Sequence, residues 1–239
     1  MKNKLVLILL FVLPIATYLI FSSATHNSLF LPTLTKNNAE IPKNWTSLDN
    51  SKIALKGKIT ILGFVGNNVI ENRGNFFNLN QKIYNKFKGF TDFQMVMVTP
   101  RGNEGKADQI LSELEPITEN MSGWKFVFGE PAEIQEFYNS YKLAGGLDEN
   151  FGTSSVIIVD KELSHRGRKG KDRKGDDEYK ESYNTISAAD LHNQMTDDVK
   201  IILREYRLAL TKNNNKRKDA FRDKIEENIE KNKKSKNEQ

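Results

Sequence analysis

Residues 58–98, KITILGFVGNNVIENRGNFFNLNQKIYNKFKGFTDFQMVMV, contain the pattern that decides the fold. Their first and last parts, Lys58–Phe64 and Phe93–Val98, are continuous apolar runs typical of buried strands. Between them, apolar side chains recur at helical spacing until Gly89 ends the pattern. The segment therefore predicts a β-α-β unit whose strands are covered on both faces.

The alternation of strand and helix continues towards the C-terminus. Apolar runs at Trp124–Phe128 and Ser155–Val159 predict two further strands. Helical spacing predicts helices over Ala107–Met121, over 131–141, and over 191–210. The resulting order, β-βαβα-βα-ββα, predicts an α/β domain of the thioredoxin-like kind, with a central mixed sheet and helices on both faces.

The N-terminus has the pattern of a membrane signal. Two lysines in the first four residues precede Leu5–Phe21, seventeen residues without a charge. As a helix this run would span about 25 Å, and extension through Ser22–Ala24 brings it close to the thickness of a bilayer core. Residues 1–24 are therefore interpreted as a single-pass anchor, with a cleaved signal peptide as the alternative. Positive charge before the run places the remainder of the chain outside the cytoplasm.

Charge divides the rest of the chain. The net charge is +5, of which residues 1–4 contribute +2 and residues 212–239 contribute +4, so that residues 5–211 are close to neutral. This distribution argues against a nucleic-acid partner, because such domains carry their basic residues on a structured face. We interpret 25–42 as an extended tether, 43–211 as the folded domain and 212–239 as a charged helical or disordered tail.

The chain contains no cysteine and three histidines. The absence of cysteine excludes a disulfide framework, a thiol redox couple and a cysteine nucleophile. Nothing in the sequence brings the three histidines together, and common phosphate, dinucleotide and zinc-protease motifs do not occur.

Four segments along the predicted domain resemble the Sco (SenC-type) family, which are thioredoxin-like, membrane-anchored copper chaperones that help to assemble cytochrome oxidase. The similar segments are ILGF (Ile61–Phe64), VTPRG (Val98–Gly102), the tryptophan, strand and helix segment Trp124–Leu143, and SSVIIVD (Ser154–Asp160). Their order and spacing match the family, and the N-terminal anchor agrees with it. The resemblance implies the scaffold and a membrane location, which would be periplasmic in a Gram-negative bacterium.

The residues depart from the family at its metal site. The two family cysteines fall on Asn67 and Glu71, and the family histidine falls near Gly152 or Thr153. Soft copper(I) needs thiolate, thioether or imidazole ligands, which an amide and a carboxylate do not replace. We therefore expect no bound metal, no cofactor and no enzymatic activity. The expected function is that of a binding or assembly factor with a protein partner in the cell envelope.

Two alternatives use other residues. A copper chaperone with substituted ligands would use Met95 and Met97, or His165, although the methionines are more typical of a core strand. His165 belongs to the charged stretch 164–182, which is interpreted as a solvated hairpin. An enzyme on the same scaffold would use Glu71 as a base, and would need a desolvated pocket around it; otherwise Asn67 and Glu71 belong to a solvated loop.

Overall fold

A mixed β-sheet forms the centre of the computed structural model, which describes residues 10–19, 30–172 and 174–211. The strands run in the order β1-β7-β6-β3-β4-β5-β2, with β10 also paired to β6, and β8 and β9 form a separate hairpin. The strands are β1 (Thr33–Thr35), β2 (Thr46–Ser47), β3 (Ile59–Val65), β4 (Phe93–Pro100), β5 (Trp124–Gly129), β6 (Gly152–Val159), β7 (His165–Arg166), β8 (Arg168–Lys171), β9 (Asp177–Lys180) and β10 (Tyr183–Asn184).

Four helices alternate with the strands and cover the two faces of the sheet. The first, α1, consists of Arg73–Leu79, a π-helical turn and Asn85–Phe87, and α2 is Glu104–Leu114. The third, α3, is Pro131–Ser140. The last, α4, begins at Ala188, where the N–H of Asp190 donates to the Ser187 hydroxyl, and it continues to residue 211.

Strands β3, β4 and β5 are parallel, and β6 is antiparallel to β3. The predicted mixed sheet is therefore confirmed. Alternation along β4 divides the core: Met95 and Met97 face α1, α2 and α4, whereas Val96 and Val98 face α3. Both faces are covered, which explains why each strand reads as a continuous apolar run.

Residues 31–42 differ from the predicted tether. Leu31 is buried, and β1 pairs with β7 at the edge of the sheet. Ile41 is buried against the α3 face. Three threonine and leucine residues in β1 make too short a pattern to stand out in the sequence. The folded domain thus begins about twelve residues before the predicted boundary at 43.

The predicted anchor is described over residues 10–19, which are helical. Within the described segments, no helix has both the length and the apolar character needed to span a bilayer. The other residues of the predicted anchor, and the predicted tail 212–239, lie outside the described residues.

Candidate functional site

Two of the positions that correspond to the family's metal ligands, Asn67 and Gly152, meet at the end of the sheet where β3 finishes. Val65 at the end of β3 is paired with Gly152 at the start of β6. The Asn67 N–H donates a hydrogen bond of 2.9 Å to the Asn150 carbonyl oxygen. The loop that follows β3 is therefore joined directly to the loop that precedes β6.

Two glycines allow this close approach of the two loops. A Cβ atom on Gly66, whose φ is +69°, would collide with the Asn150 carbonyl oxygen. A Cβ atom on Gly152 would lie 2.7 Å from the Val65 carbonyl oxygen. Because real side chains cannot approach backbone this closely, a histidine at Gly152 would force the loops apart.

The side chain of Asn67 is held by residues at the start of α2. Its Oδ1 accepts a hydrogen bond of 3.0 Å from Asn103 Nδ2, and its carbonyl oxygen accepts one of 3.1 Å from Lys106 Nζ. The neighbouring Gly66 carbonyl accepts one of 2.6 Å from the buried Thr99 hydroxyl. The amide of Asn67 therefore fastens the loop to the start of α2, and the Gly66 carbonyl fastens it to β4.

The loop before β6 is organised around Asp148. Its carboxylate accepts hydrogen bonds from the N–H groups of Asn150 and Gly152 at 2.9 and 2.8 Å. Phe151 between them has a φ of +61°, which is uncommon for a bulky residue. The bonds to Asp148 and the packing of Phe151 on the α3 face stabilise this conformation.

Glu71 is exposed, and Thr153 is half-buried. An enzyme that used Glu71 as a base would need the carboxylate to be desolvated so that its affinity for protons rises. The exposure of Glu71 removes that support. The interpretation of Glu71 as part of a solvated loop agrees with its position, whereas Asn67 is half-buried and fully engaged.

The loop that follows β3 and the loop that precedes β6 are together called the loop pair. A small cavity of about 20 Å³ lies beneath it, with Gly63, Asn72, Met97 and Thr153 among the residues around it. A space of this size holds about one water molecule. The Met97 sulfur lies beside Gly63, where a Cβ atom would approach it to 2.8 Å. The cavity is therefore too small for an organic ligand.

The two methionines do not form a thioether site. Met95 is completely buried and Met97 is 1% exposed, and both belong to the core beneath α1 and α2. This agrees with the interpretation of both residues as core side chains. Their burial argues against a thioether pair at the loop mouth.

The interpretation of His165 as a solvated hairpin residue is wrong. His165 is 1% exposed and lies in β7, where its Nε2 is 2.6 Å from the Glu181 carbonyl oxygen. Burial lowers the pKa of this imidazole, against a smaller opposing effect of Glu181. His165 is opposite Val159, which is paired with Thr60 at the start of β3. It is therefore about 20 Å from Asn67 along the strand direction.

The charged stretch 164–182 contains ion pairs that the sequence does not reveal. The guanidinium of Arg166, 8% exposed, contacts the Asp160 carboxylate at 3.1 Å and the Glu205 carboxylate at 2.6 Å. Arg168 likewise contacts Asp198 at 2.7 Å. The predicted hairpin is confirmed as β8–β9, at the tip of this stretch. At the base of the stretch, Arg166 and Arg168 attach it to α4. A high density of charge was therefore a misleading sign of exposure.

The donor atoms at the loop pair do not suit copper. They are an engaged amide, an exposed carboxylate and a threonine, whereas copper(I) selects sulfur and imidazole ligands. Across the described part of the chain, no three His, Asp or Glu side chains come together as a possible metal site. Asn67 and Gly152, which correspond to two of the family's metal ligands, thus lie in two loops that are joined by hydrogen bonds.

No family model and no curated protein matches this sequence. Among solved structures, a SCO1/SenC family lipoprotein from Bacillus anthracis is 18% identical with a TM-score of 0.50, covering 76% of this chain and 99% of its own. Copper-bound ScoI from Arabidopsis thaliana is 16% identical with a TM-score of 0.42, covering 65% and 94%. A putative protein disulfide isomerase from Bacteroides thetaiotaomicron is 13% identical with a TM-score of 0.46, covering 74% and 95%.

These identities bear on the fold alone. The resemblance to Sco (SenC-type) proteins inferred from the sequence is confirmed at that level by the Bacillus anthracis structure, of which nearly the whole length is matched. The chain has a thioredoxin-like α/β fold of the kind found in Sco/SenC proteins, and it carries Asn67, Glu71 and Gly152 or Thr153 where the resemblance implies metal ligands.

Proposed function

We propose that this chain is a membrane-anchored binding or assembly factor of the cell envelope, built on a Sco-like domain without metal or thiol chemistry. The observation that carries the proposal is the closed loop pair, in which the Asn67 N–H is bonded to the Asn150 carbonyl oxygen. A chaperone must release and rebind its metal through open ligands. A domain that keeps the scaffold and joins these two loops by hydrogen bonds is suited to presenting a surface to a partner.

The absence of cysteine supports the same proposal. Thiol–disulfide exchange begins with attack by a thiolate, and this sequence contains none. The proposal therefore assigns to the domain no redox step and no enzymatic activity. The Sco family, which four segments of this sequence resemble, helps to assemble cytochrome oxidase. We propose that a respiratory oxidase subunit is the first partner to test.

The proposed location follows from the sequence of the N-terminus. Two lysines precede the uncharged run Leu5–Phe21, which favours an N-terminus in the cytoplasm and the folded domain outside it. Protease protection in intact spheroplasts tests this orientation: the domain should be digested from outside while a cytoplasmic control survives. Full protection of the domain would contradict the proposed location.

A copper chaperone with substituted ligands is the alternative, and its proposed ligands lie apart. Met95 and Met97 are in the core, and His165 is at the other end of the sheet. Copper(I) competition against a chromophoric chelator tests the alternative on the full chain in detergent. We expect no stoichiometric site; a tight one-to-one site that Met95→Leu and Met97→Leu remove would overturn the proposal.

The partner itself can be sought by crosslinking in membranes. The full chain, a chain that ends at Thr211 and an anchor segment of residues 1–30 would each be tagged and recovered. We expect the full chain to retain an envelope protein that the anchor segment does not retain. Recovery of the same proteins by the anchor segment would contradict a binding role for the domain, and an unchanged partner set after truncation would remove the tail from that role.

A further inference from the structure

A second concavity, of about 260 Å³, lies on the α3 face of the sheet at the end opposite Asn67. It exists because α3 has ten residues and is about 15 Å long, so that it covers one half of this face. An irregular segment around Ile53 and Leu55 covers the other half incompletely. The polar residues around the concavity are Ser51, Lys52, Lys56, Lys58, Gln94 and Lys125.

Four lysines thus surround one small space in a domain that is otherwise close to neutral. Three carboxylates, Asp49, Asp92 and Glu40, lie near them, and each is bound more closely by other groups. Asp92 is 2.5 Å from Lys161 Nζ and 3.5 Å from Lys58 Nζ. Lys58 Nζ donates a hydrogen bond of 3.0 Å to the Thr91 carbonyl oxygen, which is neutral, so the charge of Lys58 is only weakly neutralised by Asp92.

Asp49 shows the same preference at the other side of the concavity. Its carboxylate accepts hydrogen bonds from the hydroxyls of Ser47 and Ser51 at 2.8 and 2.6 Å, while Lys125 Nζ lies 3.5 Å away. The serine hydrogen bonds hold the pKa of Asp49 well below its usual range, so the carboxylate remains charged. With Lys161 included, five ammonium groups against the carboxylates of Asp49, Asp92 and Glu40 leave the concavity with a net charge of about +2.

The walls of the concavity are fixed by hydrogen bonds to the sheet and to Glu40. Gln94, which is 8% exposed, donates from Nε2 to the Ala54 carbonyl oxygen and to the Thr60 hydroxyl, both at 2.9 Å. The Glu40 carboxylate accepts from the N–H groups of Leu55 and Lys56 at 2.7 and 2.9 Å. The segment that carries Lys52 and Lys56 is therefore held in place over the sheet, so that the concavity these lysines line is preformed.

We propose that this concavity, the basic pocket, binds a phosphate group. Several ammonium donors around a cleft focus positive potential, and a phosphate offers acceptor oxygens to more than one lysine at once. The volume corresponds to roughly nine water molecules, which suits a phosphate with a short organic arm rather than a large cofactor. The same phosphate chemistry occurs in soluble monoesters and in phospholipid headgroups. Such a site does not depend on the proposed assembly role.

Equilibrium dialysis of the full chain in a non-ionic detergent with radiolabelled inorganic phosphate tests the pocket at constant ionic strength. We expect one saturable site, weakened at least tenfold in the triple variant Lys52→Gln/Lys56→Gln/Lys125→Gln. The matched control is Lys169→Gln/Lys171→Gln/Lys174→Gln on hairpin β8–β9, whose lysines are exposed and whose charge change is the same. Non-saturable binding, or equal weakening in both variants, would overturn the proposal.

The source of the phosphate is distinguished by repeating the dialysis in nanodiscs. If the pocket takes lipid headgroups, discs that contain phosphatidylglycerol should abolish binding of soluble phosphate, whereas phosphatidylcholine discs should not. If it takes soluble monoesters, glycerol 3-phosphate should compete equally in both kinds of disc. Thermal unfolding of each variant confirms that a lost signal reflects lost lysines and not an unfolded domain.

Discussion

The backbone N–H of Asn67 donates to the carbonyl oxygen of Asn150 at 2.9 Å, which joins two loops separated by more than eighty residues. In the Sco resemblance these loops carry the metal ligands. Here the amide of Asn67 binds Asn103, and Gly152 leaves space for the backbone of β3. The edge that would expose a metal site instead contributes to the stability of the domain.

Replacement of Asn67 by alanine should therefore destabilise the protein. Asn67→Ala removes the acceptor of the Asn103 side chain, which is 5% exposed, so a buried donor loses a partner. The expected loss in the free energy of unfolding is about 1–2 kcal/mol. Urea unfolding measures it, with Asn68→Ala as the control on the same loop. A loss no larger than that of the control would show that the loop does not depend on this amide.

The β-α-β segment 58–98 was predictable because its strands are covered on both faces. Lys58–Phe64 and Phe93–Val98 are mostly apolar and almost completely buried, which is the pattern of strands covered on both faces. The convergence of Asn67 with Gly152 could be anticipated from the resemblance to Sco proteins. Their hydrogen bonds could not, because they depend on the conformation of two loops.

The residues whose environment differs from the sequence-based prediction do so for one physical reason. His165, Arg166 and Leu31 are buried by partners that are distant in sequence, such as Glu205, whose carboxylate accepts from the Leu31 N–H at 2.6 Å. A local pattern of charged residues indicates exposure to solvent. That indication is misleading when the charges form ion pairs with residues from distant parts of the chain. The basic pocket was missed for a related reason: three lysines within Lys52–Lys58 look like an ordinary exposed segment until Lys125 is placed beside them.

Loss of the buried guanidinium at Arg166 should have a large effect. Arg166→Met leaves the carboxylates of Asp160 and Glu205 buried without their cation. The expected loss in unfolding free energy is about 3–5 kcal/mol at neutral pH. Chemical denaturation at pH 7 measures it. The control is Lys200→Met, because the Lys200–Asp197 pair is exposed and should change stability by less than about 1 kcal/mol. Similar losses in the two variants would contradict the importance of the Arg166 cluster.

Burial of His165 predicts a dependence of stability on pH. Its pKa is lowered in the folded state, so below the unfolded value of about 6.5 the unfolded chain binds a proton that the folded chain does not. Stability from this residue is therefore complete above about pH 7 and is lost as the pH falls through the unfolded pKa towards the folded one.

Thermal or urea unfolding between pH 7.5 and 5 measures this dependence. His165→Gln retains a donor for the Glu181 carbonyl oxygen and does not titrate, so its stability should fall less over this interval. His192→Gln, which changes an exposed histidine, should retain the full slope. Identical slopes in the wild type and in His165→Gln would show that other groups cause the dependence.

The residue that follows α3 offers a stabilising substitution. Lys142 is exposed and has a φ of +54°, a left-handed conformation that glycine adopts without the clash of a Cβ atom. Lys142→Gly should therefore raise the unfolding free energy by roughly 0.5–1 kcal/mol, since the relief of strain exceeds the entropy that glycine gains in the unfolded chain. Glu136→Gly, at an exposed position within α3, should lower it by about 1 kcal/mol. Urea unfolding of both variants separates the two effects, and destabilisation by Lys142→Gly would mean that the helix ends in a different conformation.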